Sequence, residues 1–177
     1  MKRIIITSIL FFTIAPLLAQ KNPFIKEYLE RLENSKKYTL LVAEKMPEEH
    51  YNFKASEASL SFAQNVLHIG FAMDWHSQSL LGEREARTWQ TDTIFKVADK
   101  SKQEMIALID KTFDEAIHLI SNFDVNNLND TLDYFGLKRT KRQILLLLAD
   151  HITHHRGQML VYLRLNGIVP PRYVLFQ

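Results

Sequence analysis

The stretch Asp150-His151-Ile152-Thr153-His154-His155-Arg156-Gly157-Gln158 sets two imidazoles four residues apart inside a long apolar segment. On a helix turning roughly 100° per residue, His151 and His155 fall about 40° apart on one face. Two imidazoles so placed can grip one metal ion. His154 could replace His155 in the pair, because i, i+3 positions are also neighbours, and spacing alone leaves both pairings open. Either pairing needs a third ligand from elsewhere in the chain. The sequence contains no cysteine, which excludes disulfides, a thiolate nucleophile and sulfur-ligated metal. Any site must be built from nitrogen and oxygen donors.

The amino terminus has the form of a secretory signal peptide, with Met1-Lys2-Arg3, an apolar run from Ile4 to Leu18, and Ala19. Cleavage is expected after Ala19, leaving residues 20–177 as an exported chain, periplasmic or secreted. A retained anchor is disfavoured, because about 20 apolar residues are wanted to span a bilayer and Pro16 would break the helix near its end. Without a cysteine after the apolar run, a lipid anchor at the cleavage site is excluded. Of 22 basic residues, Lys2 and Arg3 leave with the signal, so 20 basic face 20 acidic ones and the mature charge is about zero. A neutral chain with no basic run lacks the phosphate-neutralising charge that nucleic-acid binding draws on. The mature length suits one domain, and no repeat or low-complexity stretch suggests another.

Four helices are expected to position the histidines. Asn22-Pro23 can open the first, whose apolar residues Phe24, Tyr28, Leu32, Leu40 and Leu41 recur at helical spacing until Pro47. An irregular stretch, 48–59, precedes the capping-box pattern Ser61-Phe62-Ala63-Gln64, and the second helix runs from there to about Leu81. Ser101-Lys102-Gln103-Glu104 opens a third, ending near Phe123. A polar loop and an unassigned segment, Leu132 to Leu137, follow. Thr140-Lys141-Arg142-Gln143 then opens a fourth that reaches Asn166, with Gly167 and Pro170-Pro171 closing it. The pattern indicates an all-α four-helix bundle, a fold in which metal sites are commonly built from facing helices.

That architecture narrows the search for a third ligand. His50 lies in the irregular stretch, and His118 belongs with the polar face of the third helix. His68 lies mid-helix between Leu67 and Ile69, where periodicity alone favours a half-buried histidine bonded to a backbone carbonyl. His76, about 80° round the helix from His68, is expected near the rim.

The chain resembles the DinB family, which is grouped with the YfiT-like bundle proteins. The carrying residues are His151-x-x-x-His155-Arg156-Gly157-Gln158, Val161 to Arg164 and Gly167 to Pro171, with Met46-Pro47-Glu48, Phe53-Lys54 and Ser61-Phe62 leading to His68. The match spans nearly the whole mature chain. It implies a DinB/YfiT-like four-helix bundle, frequently a homodimer, with metal ligands His68, His151 and His155, and with His154 as a neighbour only.

Three neutral imidazoles leave a dication its full charge and an open position. Zinc in that setting lowers the pKa of water and polarises carbonyl or phosphoryl oxygens, which suits hydrolysis of a small molecule. Zinc or nickel is expected first, and iron or manganese would also accept imidazole. Two alternatives are a non-catalytic metal-binding or dimerising bundle and a metal-dependent thiol transferase; the second is weakened by export, because low-molecular-weight thiols are mainly cytoplasmic. Asp150 and Asp74 are considered as partners for the histidine N–H groups, and a solvated surface role is favoured for both. Arg156 can cap or brace the bundle through a carboxylate or meet an anionic substrate, and bracing is favoured; Gly157 is expected to allow close helix packing. Gln158 is expected to face the pocket, and Phe62, Phe71, Trp75 and Tyr162 to lie in the core. No general base can be assigned.

Overall fold

The computed structural model describes residues 22–174, so the expected signal segment lies outside the described residues. Helix α1 covers Pro23–Lys45; the Asn22 side chain accepts the Phe24 amide, Pro23 occupies the first turn, and the helix ends before Pro47. Helix α2 covers Phe62–Asp74, α3 covers Lys102–Ser121 and α4 covers Lys141–Leu165. Each of these three opens with a reciprocal capping box, Ser61 with Gln64, Ser101 with Glu104 and Thr140 with Gln143. Helix α4 ends at Asn166, and Gly167 follows with φ +71°.

Helix α2 packs against α3 and α4, while α1 packs against the same two helices from its own side. Phe62, Leu67, Ile109, Phe113, Leu148 and Ile152 are fully buried where these faces meet. Val66, Leu67, Ile69, Ala72 and Met73 bury α2 on almost every side, so a polar group on this helix reaches solvent only where a neighbour leaves a gap. Among the described residues no helix is long and apolar enough to cross a membrane.

Two elements differ from the sequence reading. The run expected as the second helix continues to Leu81, but Trp75–Leu81 is π-helical. His76 Nδ1 and Ser77 Oγ bond the carbonyls of Ala72 and Met73, the acceptors that α-helical amides at those positions would use; such competition disfavours the regular ladder. The unassigned segment is a hairpin, β1 Thr131–Tyr134 antiparallel to β2 Leu137–Thr140. Its two-residue turn is Phe135-Gly136, with φ +55° and +79°. Such a turn favours Asn-Gly, and a phenylalanine in the first position hides the hairpin from sequence.

Glycine use also departs from expectation. A Cβ on Gly157 would meet nothing within 4 Å, whereas one on Gly70 would lie 2.8 Å from Phe95 Cε1 and 3.3 Å from Ile109 Cγ2. Close packing therefore belongs to Gly70, not Gly157. In thermal denaturation, Gly157→Ala is expected to stabilise by roughly 0.5–1 kcal/mol through its helix preference. Gly70→Ala is expected to destabilise by about 1–3 kcal/mol through overpacking.

Candidate metal centre

Contact between α2 and α4 brings His68 onto His151 and His155. Ring centroids lie 5.0 Å apart for His68 and His151, 4.5 Å for His68 and His155, and 4.6 Å for His151 and His155. One ring nitrogen from each lies within 4.8 Å of the other two, and no carboxylate joins the group among the described residues. His155 is buried, and His68 and His151 are half-buried. His154 is exposed and outside the group, its Nε2 accepting from Gln158 Nε2 at 2.9 Å. His50 and His118 are exposed on other elements.

Asn65, fully buried one turn before His68, holds His155 in place. His155 Nδ1 lies 2.9 Å from Asn65 Oδ1, while the Asn65 amide group donates to the Ser61 carbonyl at 2.9 Å. That second bond orients Oδ1 toward the imidazole, which must then donate from Nδ1. The Nε2 lone pair is left free as a ligand, in the manner by which outer partners set the tautomer of metal-binding histidines.

The remaining nitrogens test whether a metal fits. His68 Nδ1 and His151 Nε2 are buried and make no hydrogen bond, although buried polar groups are nearly always satisfied. A cation between the rings would engage lone pairs that otherwise have no partner. Tetrahedral coordination at about 2.0–2.1 Å would set three nitrogens roughly 3.3 Å apart, against separations of no more than 4.8 Å here. Thus the donor set fits a borderline-soft divalent ion.

Burial, followed by the neighbouring imidazoles, pushes His151 down to about 4 and His155 to about 3, and lowers His68 as well. These rings are neutral and ready to ligate at neutral pH. Between about pH 6.5 and 4 the unfolded chain binds protons that the folded chain refuses, so stability is full above 6.5 and falls as the solution is acidified. Denaturant midpoints of the metal-free protein are expected to drop from pH 7 to pH 5. A flat profile would mean that these rings protonate freely in the folded state.

The surroundings are aromatic. Trp89 stands edge-on to His68 at 5.3 Å and to Phe71 at 4.7 Å, with Lys96 Nζ 3.9 Å above its ring. His76, expected at the rim, is 2 % exposed. Its Nδ1 donates to the Ala72 carbonyl and its Nε2 accepts from the Tyr134 hydroxyl at 3.0 Å, so the hairpin covers it.

The DinB family model matches residues 19–176 of this sequence. The chain belongs to the DinB family. An uncharacterized Bacillus subtilis relative, YjoA, is 27 % identical over 156 residues, covering 85 % of this chain and 93 % of its own. The crystal structure of YjoA, a DinB-like protein, superposes with a TM-score of 0.66 at 22 % identity, covering 88 % of this chain and all of that one. YfiT from Bacillus subtilis, described as a probable metal-dependent hydrolase with an unusual four-helix bundle topology, gives 0.67 at 16 % identity over 87 % of this chain and 94 % of its own.

In this DinB protein several flanking residues stand elsewhere than the sequence reading placed them. Asp74 is buried and pairs with Arg84 and Arg87 of the following loop, because that loop folds back over α2. Asp150 is solvated as expected, 3.7 Å from Arg31. Arg156 braces α4 to α1 through Ser35 and Thr39, not through a carboxylate. Gln158 is occupied by His154. Phe62 and Tyr162 are core residues, while Phe71 and Trp75 are only partly buried, and Trp75 stacks on Tyr134. Asn65 escaped the sequence reading, although its place three residues before His68 put it on the same helix face.

Proposed function

We propose that this chain is an exported, divalent-metal-dependent hydrolase of a small molecule, with His68, His151 and His155 as the metal ligands. The observation that carries the reading is the convergence of three imidazoles, two of them holding buried nitrogens without partners, on one point between α2 and α4. The description of YfiT as a probable metal-dependent hydrolase agrees with it. When bound, the metal supplies a Lewis acid for a carbonyl or phosphoryl oxygen and a water that ionises near neutral pH.

The chain's own residues hold the ligands neutral through burial, fix the His155 tautomer through Asn65, and shield one side of the site with Trp89 and Phe71. Among the described residues no fourth histidine or carboxylate joins the group, which would leave a bound divalent ion a coordination position for water or substrate. Zinc or nickel suits the nitrogen donors best, with iron or manganese also compatible. Export rests on the Met1-to-Ala19 pattern, and a homodimer on the likeness to the family.

The test is turnover of carboxylic ester, amide and phosphate ester substrates by the chain from Gln20 onward. Hydrolysis of one class is expected from the metal-loaded protein and from neither the metal-free protein nor His151→Ala. Stoichiometric metal binding with no hydrolysis of any class would overturn the hydrolase and leave a non-catalytic metal-binding bundle.

A further inference from the structure

Arg156 follows His155 directly but sits about 100° away round α4, turned toward α1. It is 6 % exposed. Nη1 donates to Ser35 Oγ at 2.6 Å, to the Ser35 carbonyl at 3.3 Å and to Thr39 Oγ1 at 3.3 Å, and the guanidinium lies 5.1 Å from the Tyr38 ring centroid. Every one of these partners is neutral. Among the described residues no carboxylate comes within 4.0 Å of Arg156, although Arg31 and Arg84 each have one and Arg87 has two. Buried charges are normally paired, and an uncompensated one is strongly unfavourable.

Arg156 also lines a cavity of about 140 Å³ between α1, α4 and the segment after α4. That volume far exceeds the roughly 10–15 Å³ that admits one water. Arg31, Asn34, Ser35, Thr153 and Tyr173 complete the wall with a second positive charge, an amide and three hydroxyls. Nε and Nη2 of Arg156 make no hydrogen bond to the described residues, which leaves one edge of the fork that takes oxyanions side-on. Arg31 is committed only to Asp150, at 3.7 Å and 79 % exposed, a pairing that solvent screens. No member of the histidine cluster lines this cavity.

We propose that this pocket binds a small oxyanion, a tetrahedral phosphate or sulfate or the carboxylate of a small molecule, with Arg156 as its buried anchor and Arg31 at its mouth. The pocket is separate from the histidine cluster, and the proposal stands without the hydrolase reading.

The experiment follows thermal stability of the chain from Gln20 onward in sodium phosphate, sulfate or acetate against chloride at matched ionic strength. An anion that binds the folded state raises the midpoint along a saturating curve. Saturation is expected for at least one oxyanion: phosphate and sulfate ahead of acetate assigns a tetrahedral ligand, and the reverse assigns a carboxylate. Arg31→Gln is expected to weaken the apparent affinity about tenfold, the order of one charge-assisted hydrogen bond. Arg156→Gln is expected to abolish the effect, but it also removes the bracing bonds, so Arg31→Gln carries the decision. The response should persist in His151→Ala. Equal responses to all four salts, or an oxyanion effect lost in His151→Ala and kept in Arg31→Gln, would overturn the proposal.

Discussion

Replacing His155 with alanine is expected to abolish stoichiometric metal binding, whereas replacing its neighbour His154 should leave it intact. His155 is buried at the centre of the cluster, 4.5 Å and 4.6 Å from the other two rings by centroid. Without it two half-buried imidazoles remain, and a two-nitrogen site competes poorly with water for a divalent ion. The loss should exceed the roughly 10–100-fold that removal of an outer partner causes. His154 is exposed and pairs with Gln158. Equilibrium dialysis with zinc, read by elemental mass spectrometry, separates the two variants; loss in His154→Ala with retention in His155→Ala would mean that the i, i+3 pair, not the i, i+4 pair, holds the ion.

The second large effect is expected at Asn65. Asn65→Leu removes the acceptor that holds His155 Nδ1, freeing the ring to rotate and to change tautomer. Metal affinity should fall about 10–100-fold. Asn65→Asp keeps an acceptor at the same place and should recover most of that loss. It cannot restore the donation to the Ser61 carbonyl, so its metal-free stability should stay below that of the native chain. A purely structural role would instead make affinity follow stability across both variants, with no recovery by aspartate.

The helical frame was legible because its signals are local. Three capping boxes and the Asn22-Pro23 start mark where helices begin, and a Pro or Gly marks the ends of α1 and α4. The i, i+4 spacing of His151 and His155 likewise needs no tertiary information. His68 was different, since its periodicity favours an ordinary half-buried histidine bonded to a backbone carbonyl, and the family resemblance singled it out. In the structure its Nδ1 has no carbonyl partner, which removes that ordinary explanation.

What sequence reasoning missed depends on long-range return of the chain. Asp74 and His76 were judged by their angle from His68, an angle blind to the arginine loop that folds over one and to the hairpin that covers the other. Gly157 is the packing glycine expected from sequence, yet the tight approach is at Gly70, against a phenylalanine 25 residues later in sequence. The π-helical turn arises from side-chain bonds at His76 and Ser77 that helical periodicity does not report.

The most direct test of the three-histidine centre is X-ray absorption on the zinc-loaded chain from Gln20 onward. The account predicts three imidazole scatterers with metal–nitrogen distances of about 2.0–2.1 Å, accompanied by one oxygen donor that lacks the outer-carbon scattering of an imidazole. A fourth imidazole would place His154 or His76 in the shell and close the site. Scattering without imidazole would contradict the assignment of His68, His151 and His155 altogether.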